Sequence, residues 1–207
     1  MNVSAVIKIG GSLLDLPDLA DRLQGFLGDF SRPYPIAVCG GGRVVDICRD
    51  WDCQHNLGEE PSHWLALQAL SVTAAFVERA VPLFAHVQSP TDFPSLWRRR
   101  RVPLYDAHAF IRDIDEKSAS PLPRRWRVTT DSIAARMAQH FGAQEVILLK
   151  SVDLPTEITL AEAARDGFVD PHFPSAARDI PRIVTVNLRA PGPSEQILTP
   201  APFDRRS

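Results

Sequence analysis

Lys8 and two glycine-rich turns are the residues of this sequence whose type and spacing best suit chemistry. An apolar, β-branched stretch carries Lys8 near its end and continues directly into Gly10, Gly11 and Ser12. Glycines at the end of a strand let the backbone turn sharply and bring its N–H groups close to an anion. These parts would suffice to hold a phosphoryl group, although a glycine pair after a strand is often only a turn.

A second glycine turn follows the next apolar stretch, residues 35–39. It consists of Gly40, Gly41 and Gly42, and Arg43 and apolar residues at helical spacing come next. The N-terminus of such a helix carries unpaired N–H groups and a partial positive charge, so two turns of this kind would grip a phosphate chain from two sides. Neither turn has the Walker pattern or the dinucleotide-binding glycine fingerprint, which indicates another phosphate-binding scheme.

Two further charged residues are predicted at junctions between strands and helices. Asp131 precedes a helical stretch, and Lys150 ends the apolar strand predicted at 145–149. In a parallel α/β sheet ligands bind beyond the carboxyl ends of the strands, so we expect Lys8, Asp131, Lys150 and the glycine turns on one edge. Phosphoryl transfer requires mainly positioning and neutralisation of developing charge. Asp131 could orient a lysine or a water near the metal, or could simply stabilise a helix N-terminus by about 0.3–1 kcal/mol.

Alternating strands and helices must position these residues. The pattern predicts a mostly parallel sheet with helices on both faces. The domain is expected over residues 1–192, with an extended C-terminal tail at 193–207 and an exposed loop at 113–125. Strands are predicted at 3–9, 36–39, 81–87, 102–105, 145–149 and 183–187, and helices at 17–30, 43–52, 63–79, 93–97, 131–141 and 159–167.

The composition argues against several classes of function. The chain has 207 residues and a net charge of −2, which indicates no nucleic-acid partner and no membrane surface. Its apolar runs are shorter than the roughly 20 residues of a membrane span. The three cysteines, Cys39, Cys48 and Cys53, have neither zinc-ligand spacing nor a secretory context, which predicts reduced thiols in the cytoplasm. The run Arg98–Arg101 is typical of a solvated face, with an anionic ligand or a subunit contact as the alternative.

Four segments in order resemble the motifs of the amino acid kinase family, which includes acetylglutamate, aspartate, glutamate, uridylate and isopentenyl phosphate kinases. They read VIKIGGS at 6–12, VCGGG at 38–42, TTDSIAA at 129–135 and VILLKSVD at 146–153. The resemblance spans about residues 3–185. It implies a three-layer αβα sandwich, Mg²⁺ and ATP as the phosphoryl donor, and a small-molecule acceptor with a phosphate or carboxylate group.

The resemblance also implies roles for individual residues. Lys8 would assist transfer, and Asp131 would organise the catalytic lysine. The residues near the nucleotide would be Gly10, Gly11, Ser12, Lys150 and Asp153. The glycines on the acceptor side would be Gly40, Gly41 and Gly42.

Within the family, the chain is most similar to the small kinases of methanofuran biosynthesis from archaea and from methylotrophic and planctomycete bacteria. The supporting segments are GGGRVVD at 40–46, HNL at 55–57, SHW at 62–64 and GFVD at 167–170. The acceptor implied by that group is an aminomethylfuran-methyl phosphate, with Arg43, His55, His63 and Trp64 around it. Core packing for Trp64, and surface or capping roles for the two histidines, remain alternatives.

Two departures keep a second class of function open. Many family members carry a second catalytic lysine in the region that corresponds to 166–170, where this chain has none. Asp153 is followed by Leu154 and Pro155 instead of glycine. The first hypothesis is therefore an ATP-dependent kinase, and the alternative is a catalytically silent sensor or storage protein on the same fold. Exposed apolar helices and the family resemblance also predict a homo-oligomer.

Overall fold

A computed structural model describes residues 3–155 and 157–198. Within this part of the chain, strands and helices alternate, and no described helix has the length and apolar character needed to cross a membrane. The strands are β1 Ala5–Ile9, β2 Ile36–Cys39, β3 Phe84–Val87, β4 Val102–Tyr105, β5 Glu145–Lys150, β6 Arg182–Asn187 and β7 Glu195–Ile197. The helices are α1 Leu19–Gly28, α2 Gly42–His55, α3 Glu59–Ala80, α4 Phe93–Arg98, α5 Ala107–Asp113, α6 Thr130–Phe141, α7 Leu160–Arg165 and α8 Phe173–Ala176.

One twisted sheet contains all of these strands, in the order β3-β4-β2-β1-β5-β6-β7. Every neighbouring pair is parallel except β6 and β7. The chain places β2, β3 and β4 on one side of β1 and then returns to place β5 on the other side of β1. Such a reversal of direction opens a crevice at the carboxyl ends of the central strands.

Helices cover both faces of the sheet, as a three-layer αβα fold requires. Side chains that alternate along each strand separate into two cores. Val6 and Leu148 belong to the core that α6 covers, whereas Ile7 and Leu149 belong to the core that α1 covers. Because the central strands are buried on both faces, they are almost continuously apolar, which is the pattern that predicted them.

The local signals for helix ends are confirmed. Gly142 follows α6 with φ of 69°, a left-handed conformation that glycine adopts without strain. Thr159 and Glu162 form the capping box at the start of α7, each side chain bonding the other residue's backbone.

Three parts of the sequence-based assignment were wrong. Helix α3 begins at Glu59, four residues before the predicted start, and helix α5 was not predicted. The stretch 113–125 is not simply an exposed loop, because Asp115 and Leu122 are buried and Asp115 Oδ2 accepts a hydrogen bond from Leu122 N at 2.7 Å.

The C-terminal segment predicted as an extended tail, 193–207, is described as far as residue 198. In it, Glu195–Ile197 form the antiparallel edge strand β7. Residues 199–207 lie outside the described residues.

In the run of four arginines, three side chains face solvent and the fourth bonds to the backbone. Arg98, Arg99 and Arg100 are exposed, as a solvated face predicts. Arg101 instead donates hydrogen bonds to the carbonyls of Pro82 and Phe84, and so joins the loop after α4 to the start of β3.

Candidate active site

The crevice beside β1 brings together the segments that the sequence predicted at one edge of the sheet. Gly10 directly follows β1, Gly40 directly follows β2, and β5 ends at Lys150. β1 lies between β2 and β5 in the sheet, so the two glycine turns and Lys150 are neighbours despite their separation in sequence.

Lys8, Asp131 and Lys150 form a buried cluster of charges at this edge. Lys150 Nζ donates a hydrogen bond to Asp131 Oδ2 at 2.8 Å. Lys8 Nζ lies 2.9 Å from Asp131 Oδ1, as an ion pair whose angles fall outside hydrogen-bond geometry. The Asp131 side chain is only 5% exposed. One carboxylate on the first turn of α6 therefore holds two ammonium groups that come from different strands.

The electrostatics of the cluster favour a charged Asp131 and a labile proton on Lys150. Burial by itself would raise the pKa of Asp131, but the charges of Lys8 and Lys150 lower it to about 2. Burial and the positive charge of Lys8 lower the pKa of Lys150 to about 8, against the opposing effect of Asp131. Lys150 is thus the group of this cluster that titrates close to neutral pH.

The two glycine turns are in direct contact with each other. A β-carbon on Gly11 would lie 2.3 Å from the nitrogen of Gly42, and one on Gly42 would lie 2.5 Å from the oxygen of Gly11. One on Gly40 would lie 2.6 Å from the nitrogen of Gly11. Separations this short exclude any side chain, so these glycines are required for the two backbones to pack together. The same packing sets the distance between the turns that would grip a phosphate chain.

Helix α2 starts directly at this contact. Its N-cap is Gly41, which has no side chain to cap the helix, so the first N–H groups of α2 have no partner within the helix or from its own cap. Arg43 is exposed in the first turn beside them. The partial positive charge of the helix N-terminus and the guanidinium together suit an anionic group.

A cavity of about 690 Å³ opens from Lys8 and the glycine turns toward α2 and α3. Its inner wall is mainly apolar, and it includes Leu67 and Leu70 of α3 and Ile133 of α6. The predicted acceptor-side residues that line it are Gly40, Gly41, Gly42, Arg43 and His63. A cavity of this shape has room for a molecule with an anionic group at one end and an apolar body behind it.

His63 is a buried polar side chain of the α3 wall, only 5% exposed. Burial lowers its pKa from the usual value, so the imidazole is neutral at pH 7. The neutral imidazole can therefore donate one hydrogen bond to a molecule in the cavity, or accept one from it.

The structure does not bring the other two predicted acceptor residues to the cavity. His55 is exposed at the last position of α2. Trp64 points away because it is next to His63 on α3, and it packs edge-on against His108 with ring centroids 6.0 Å apart. The Arg124 guanidinium covers its other side at 5.7 Å.

Two of the residues predicted to lie near the nucleotide, the exposed Ser12 and the buried Gly10, bond to the end of β5 or just beyond it. Ser12 Oγ donates to Ser151 Oγ at 2.9 Å, which connects the first glycine turn to the end of β5. Gly10 N donates to the Leu149 carbonyl at 2.9 Å, and a β-carbon on Gly10 would lie 2.6 Å from that oxygen. Asp153 is also exposed.

Sequence reasoning missed the loop before α6, which also lines the cavity. Arg125, Trp126 and Thr129 line it, just before α6. Trp126 Nε1 donates to Asp52 Oδ2 at 2.7 Å, and the Arg49 guanidinium lies over the indole at 5.4 Å. A tryptophan between arginines, close to the Thr-Thr-Asp motif, was the available signal for this loop.

The described residues contain no group of three or more histidine, cysteine, aspartate or glutamate side chains placed to hold a metal ion. Mg²⁺ commonly binds through substrate phosphates and one or two carboxylates, without a cage made only of protein.

Comparisons with known proteins agree with this fold. The sequence model of the amino acid kinase family matches residues 4–154. A UMP kinase from Ureaplasma parvum superposes with a TM-score of 0.63 at 16% identity, covering 93% of each chain. A uridylate kinase from Archaeoglobus fulgidus gives 0.60 at 17% identity, over 96% of this chain and 92% of that one. An aspartate kinase from Synechocystis gives 0.63 at 15% identity, over 96% of this chain and 40% of that one. A search of curated proteins finds no match.

Proposed function

Because the chain belongs to the amino acid kinase family, we propose that it transfers the γ-phosphoryl group of ATP, bound with Mg²⁺, to a small-molecule acceptor. The observation that carries the proposal is the pair of lysines on Asp131, 2.9 and 2.8 Å from its two oxygens. Phosphoryl transfer is accelerated mainly by fixed positive charge around the transferred group. Lys8 and Lys150 supply two such charges in a buried site.

The missing second lysine was one reason to consider a silent binding protein. Lys150 offers a replacement for it within this cluster. The segment 166–170 has no lysine, but Lys150 at the end of β5 supplies the second positive charge beside Asp131. We therefore prefer transfer over binding alone. The alternative keeps one supporting observation, the exposed Asp153 on the nucleotide side.

We propose that the acceptor carries a phosphate group on an apolar body. The open N-terminus of α2, with Arg43 beside it, suits an anion, and the apolar wall with Leu67 and Ile133 suits a ring or chain behind it. An aminomethylfuran-methyl phosphate, suggested by the sequence resemblance, is the first acceptor to test.

We further propose a homo-oligomer. Four large apolar side chains are about half exposed on two adjacent helices, Ile47 and Trp51 on α2 and Val72 and Phe76 on α3. An exposed apolar surface of this kind is typical of an interface between proteins. Light scattering on the purified protein at several concentrations tests this, and a monomer at every concentration would contradict it.

The test of the function begins with binding and ends with transfer. Calorimetric titration with Mg²⁺ and a non-hydrolysable ATP analogue should give saturable binding, and ADP release should depend on a phosphate acceptor. Lys8→Ala should lower kcat by about a hundredfold or more, because a transition-state charge is lost, and should change nucleotide affinity by less than about threefold.

Lys117→Ala is the matched control, because Lys117 is exposed and is the remaining lysine of the sequence. It should behave as the wild type. Nucleotide binding without turnover, with every acceptor class tried, would favour the silent binding protein. Wild-type turnover in Lys8→Ala would show that Lys8 is not a transition-state group.

A further inference from the structure

Asp170 is a buried carboxylate with six hydrogen-bond donors around it. Its Oδ2 accepts from Thr129 N, Thr129 Oγ1 and Ser132 N, each at 3.0 Å. Its Oδ1 accepts from Ser132 Oγ at 2.7 Å, His172 N at 2.9 Å and Phe173 N at 3.0 Å. The residue is only 6% exposed. A carboxylate with this many donors is held in one orientation.

Two of these partners flank Asp131 in the first turn of α6. Thr129 is the N-cap of that helix, and its hydroxyl accepts a long hydrogen bond from Asp131 N, at 3.4 Å. The N–H of Ser132, which an N-cap side chain often binds, goes to Asp170 instead. A carboxylate from outside the helix therefore fixes the turn on both sides of Asp131.

The charge of Asp170 also reaches the lysine beside Asp131. The charged groups that act on Lys150 are Lys8 from β1, Asp131 from α6 and Asp170 from the segment before α8. Burial and Lys8 lower the pKa of Lys150, whereas both carboxylates raise it. Two buried lysines thus face two buried carboxylates, and the cluster is close to neutral before a phosphoryl group enters.

We propose that Asp170 is a positioning residue of the site, which holds the first turn of α6 so that Asp131 faces both lysines. The inference rests on the proposed function for its kinetic consequence. It adds a residue to the site that does not line the cavity and that belongs to the segment without the expected lysine, 166–170. In this chain that segment contributes an anion, and the cation comes from β5.

The test combines a titration with kinetics on Asp170→Asn. The sequence has three lysines, so a protein labelled with ¹³C at the lysine ε-carbon gives three resonances, and Lys150→Arg assigns one of them. In Asp170→Asn the pKa of Lys150 should fall below its wild-type value. kcat should fall by about tenfold to a hundredfold, because a small misplacement of a transfer group is costly, while the KM for the acceptor changes little.

Asp106→Asn is the matched control. Asp106 is also a buried aspartate that caps a helix, accepting from Ala109 N at 2.8 Å at the start of α5 and pairing with His86. It should lose thermal stability but keep the wild-type Lys150 titration and kcat. A folded Asp170→Asn with wild-type titration and kcat would overturn the proposal, as would an equal loss of kcat in Asp106→Asn.

A milder variant keeps the test decisive if Asp170→Asn does not fold. Ser132→Ala removes the 2.7 Å hydrogen bond but leaves the charge of Asp170 in place. It should lower kcat while the Lys150 titration stays unchanged, and an unchanged kcat would contradict the positioning role. The titration needs no turnover, so a wild-type protein without kinase activity would refute the proposed function while the effect of Asp170 on Lys150 is still measured.

Discussion

Asp131 has two properties that an acidic residue at a helix N-terminus does not normally have together. It is buried, and it contacts an ammonium group with each of its oxygens. Stabilisation of a helix dipole explains neither its burial nor its two lysines, because a dipole effect needs only an acid near the first turn. The alternative role as a simple helix-capping acid is therefore insufficient for this residue.

Lys150 makes the pH dependence of the site predictable. Its pKa is lowered to about 8, first by burial and then by Lys8, so its ammonium form is present below that pH and is lost above it. We expect kcat/KM for the nucleotide to fall on the alkaline side with a midpoint near pH 8, because kcat/KM reports the free enzyme. The measurement is a pH series at saturating acceptor concentration.

The Lys150→Arg variant tests whether Lys150 causes this fall of kcat/KM on the alkaline side. Arginine stays charged over the accessible pH range, so any remaining activity should no longer decline near pH 8. An unchanged alkaline limb in Lys150→Arg would mean that another group causes it.

The contact between the two glycine turns is a property of the β1–α1 and β2–α2 connections taken together. Gly11→Ala places a β-carbon 2.3 Å from the Gly42 nitrogen, and backbone on both sides must move to accept it. We expect a loss of about 1–3 kcal/mol in the free energy of unfolding, as for an overpacked core. Phosphoryl transfer should fall by more than the stability loss explains, because the two phosphate-binding turns separate.

Gly25→Ala is the control, in the helix that follows the first glycine turn. Gly25 lies inside α1, and a β-carbon there has nothing within 4 Å. Replacing a helical glycine with alanine should stabilise the protein by about 0.4–1 kcal/mol and leave activity unchanged. Urea unfolding of both variants gives the comparison, and equal stability of Gly11→Ala and wild type would show that the turns are not in contact.

At the opposite edge of the sheet, four charged residues form a closed ring of ion pairs. Arg32 and Arg182 each pair with both Glu145 and Glu195, at distances from 2.6 to 2.9 Å. Glu145 is at the start of β5 and is buried, whereas Glu195 is in β7. The ring therefore anchors the C-terminal strand to the loop between α1 and β2.

Removing the buried member of this ring should destabilise the whole molecule. Glu145→Gln leaves two arginines without their central partner, and we expect a loss of about 1–3 kcal/mol, less than for a fully buried pair because both arginines are partly exposed. Glu195→Gln, whose side chain is 32% exposed, should cost less than about 1 kcal/mol. Chemical denaturation measures both, and the reverse order would contradict a central role for Glu145.

Local patterns were sufficient for most of the fold. Strands such as β2 and β4 were predicted at their observed bounds, since buried parallel strands are short, apolar and followed by turns. Helix α5 and strand β7 escaped prediction. Helix α5 is short, and its sequence pattern was not distinguished from that of the neighbouring segments. β7 is exposed and polar, and it is held by hydrogen bonds to β6 and by the ion-pair ring.

The sequence by itself was enough to identify the glycine turns, Lys8, Asp131 and Lys150, and to assign them to one edge of a parallel sheet. Each is marked by local chemistry, a glycine pair after a strand or a charge at a strand–helix junction. It could not show that Lys150 shares Asp131 with Lys8, that Trp126 lines the cavity, or that Asp170 holds the first turn of α6. Those contacts join residues 19 to 123 positions apart, and their partners follow from the order of the strands and the packing of the helices on them.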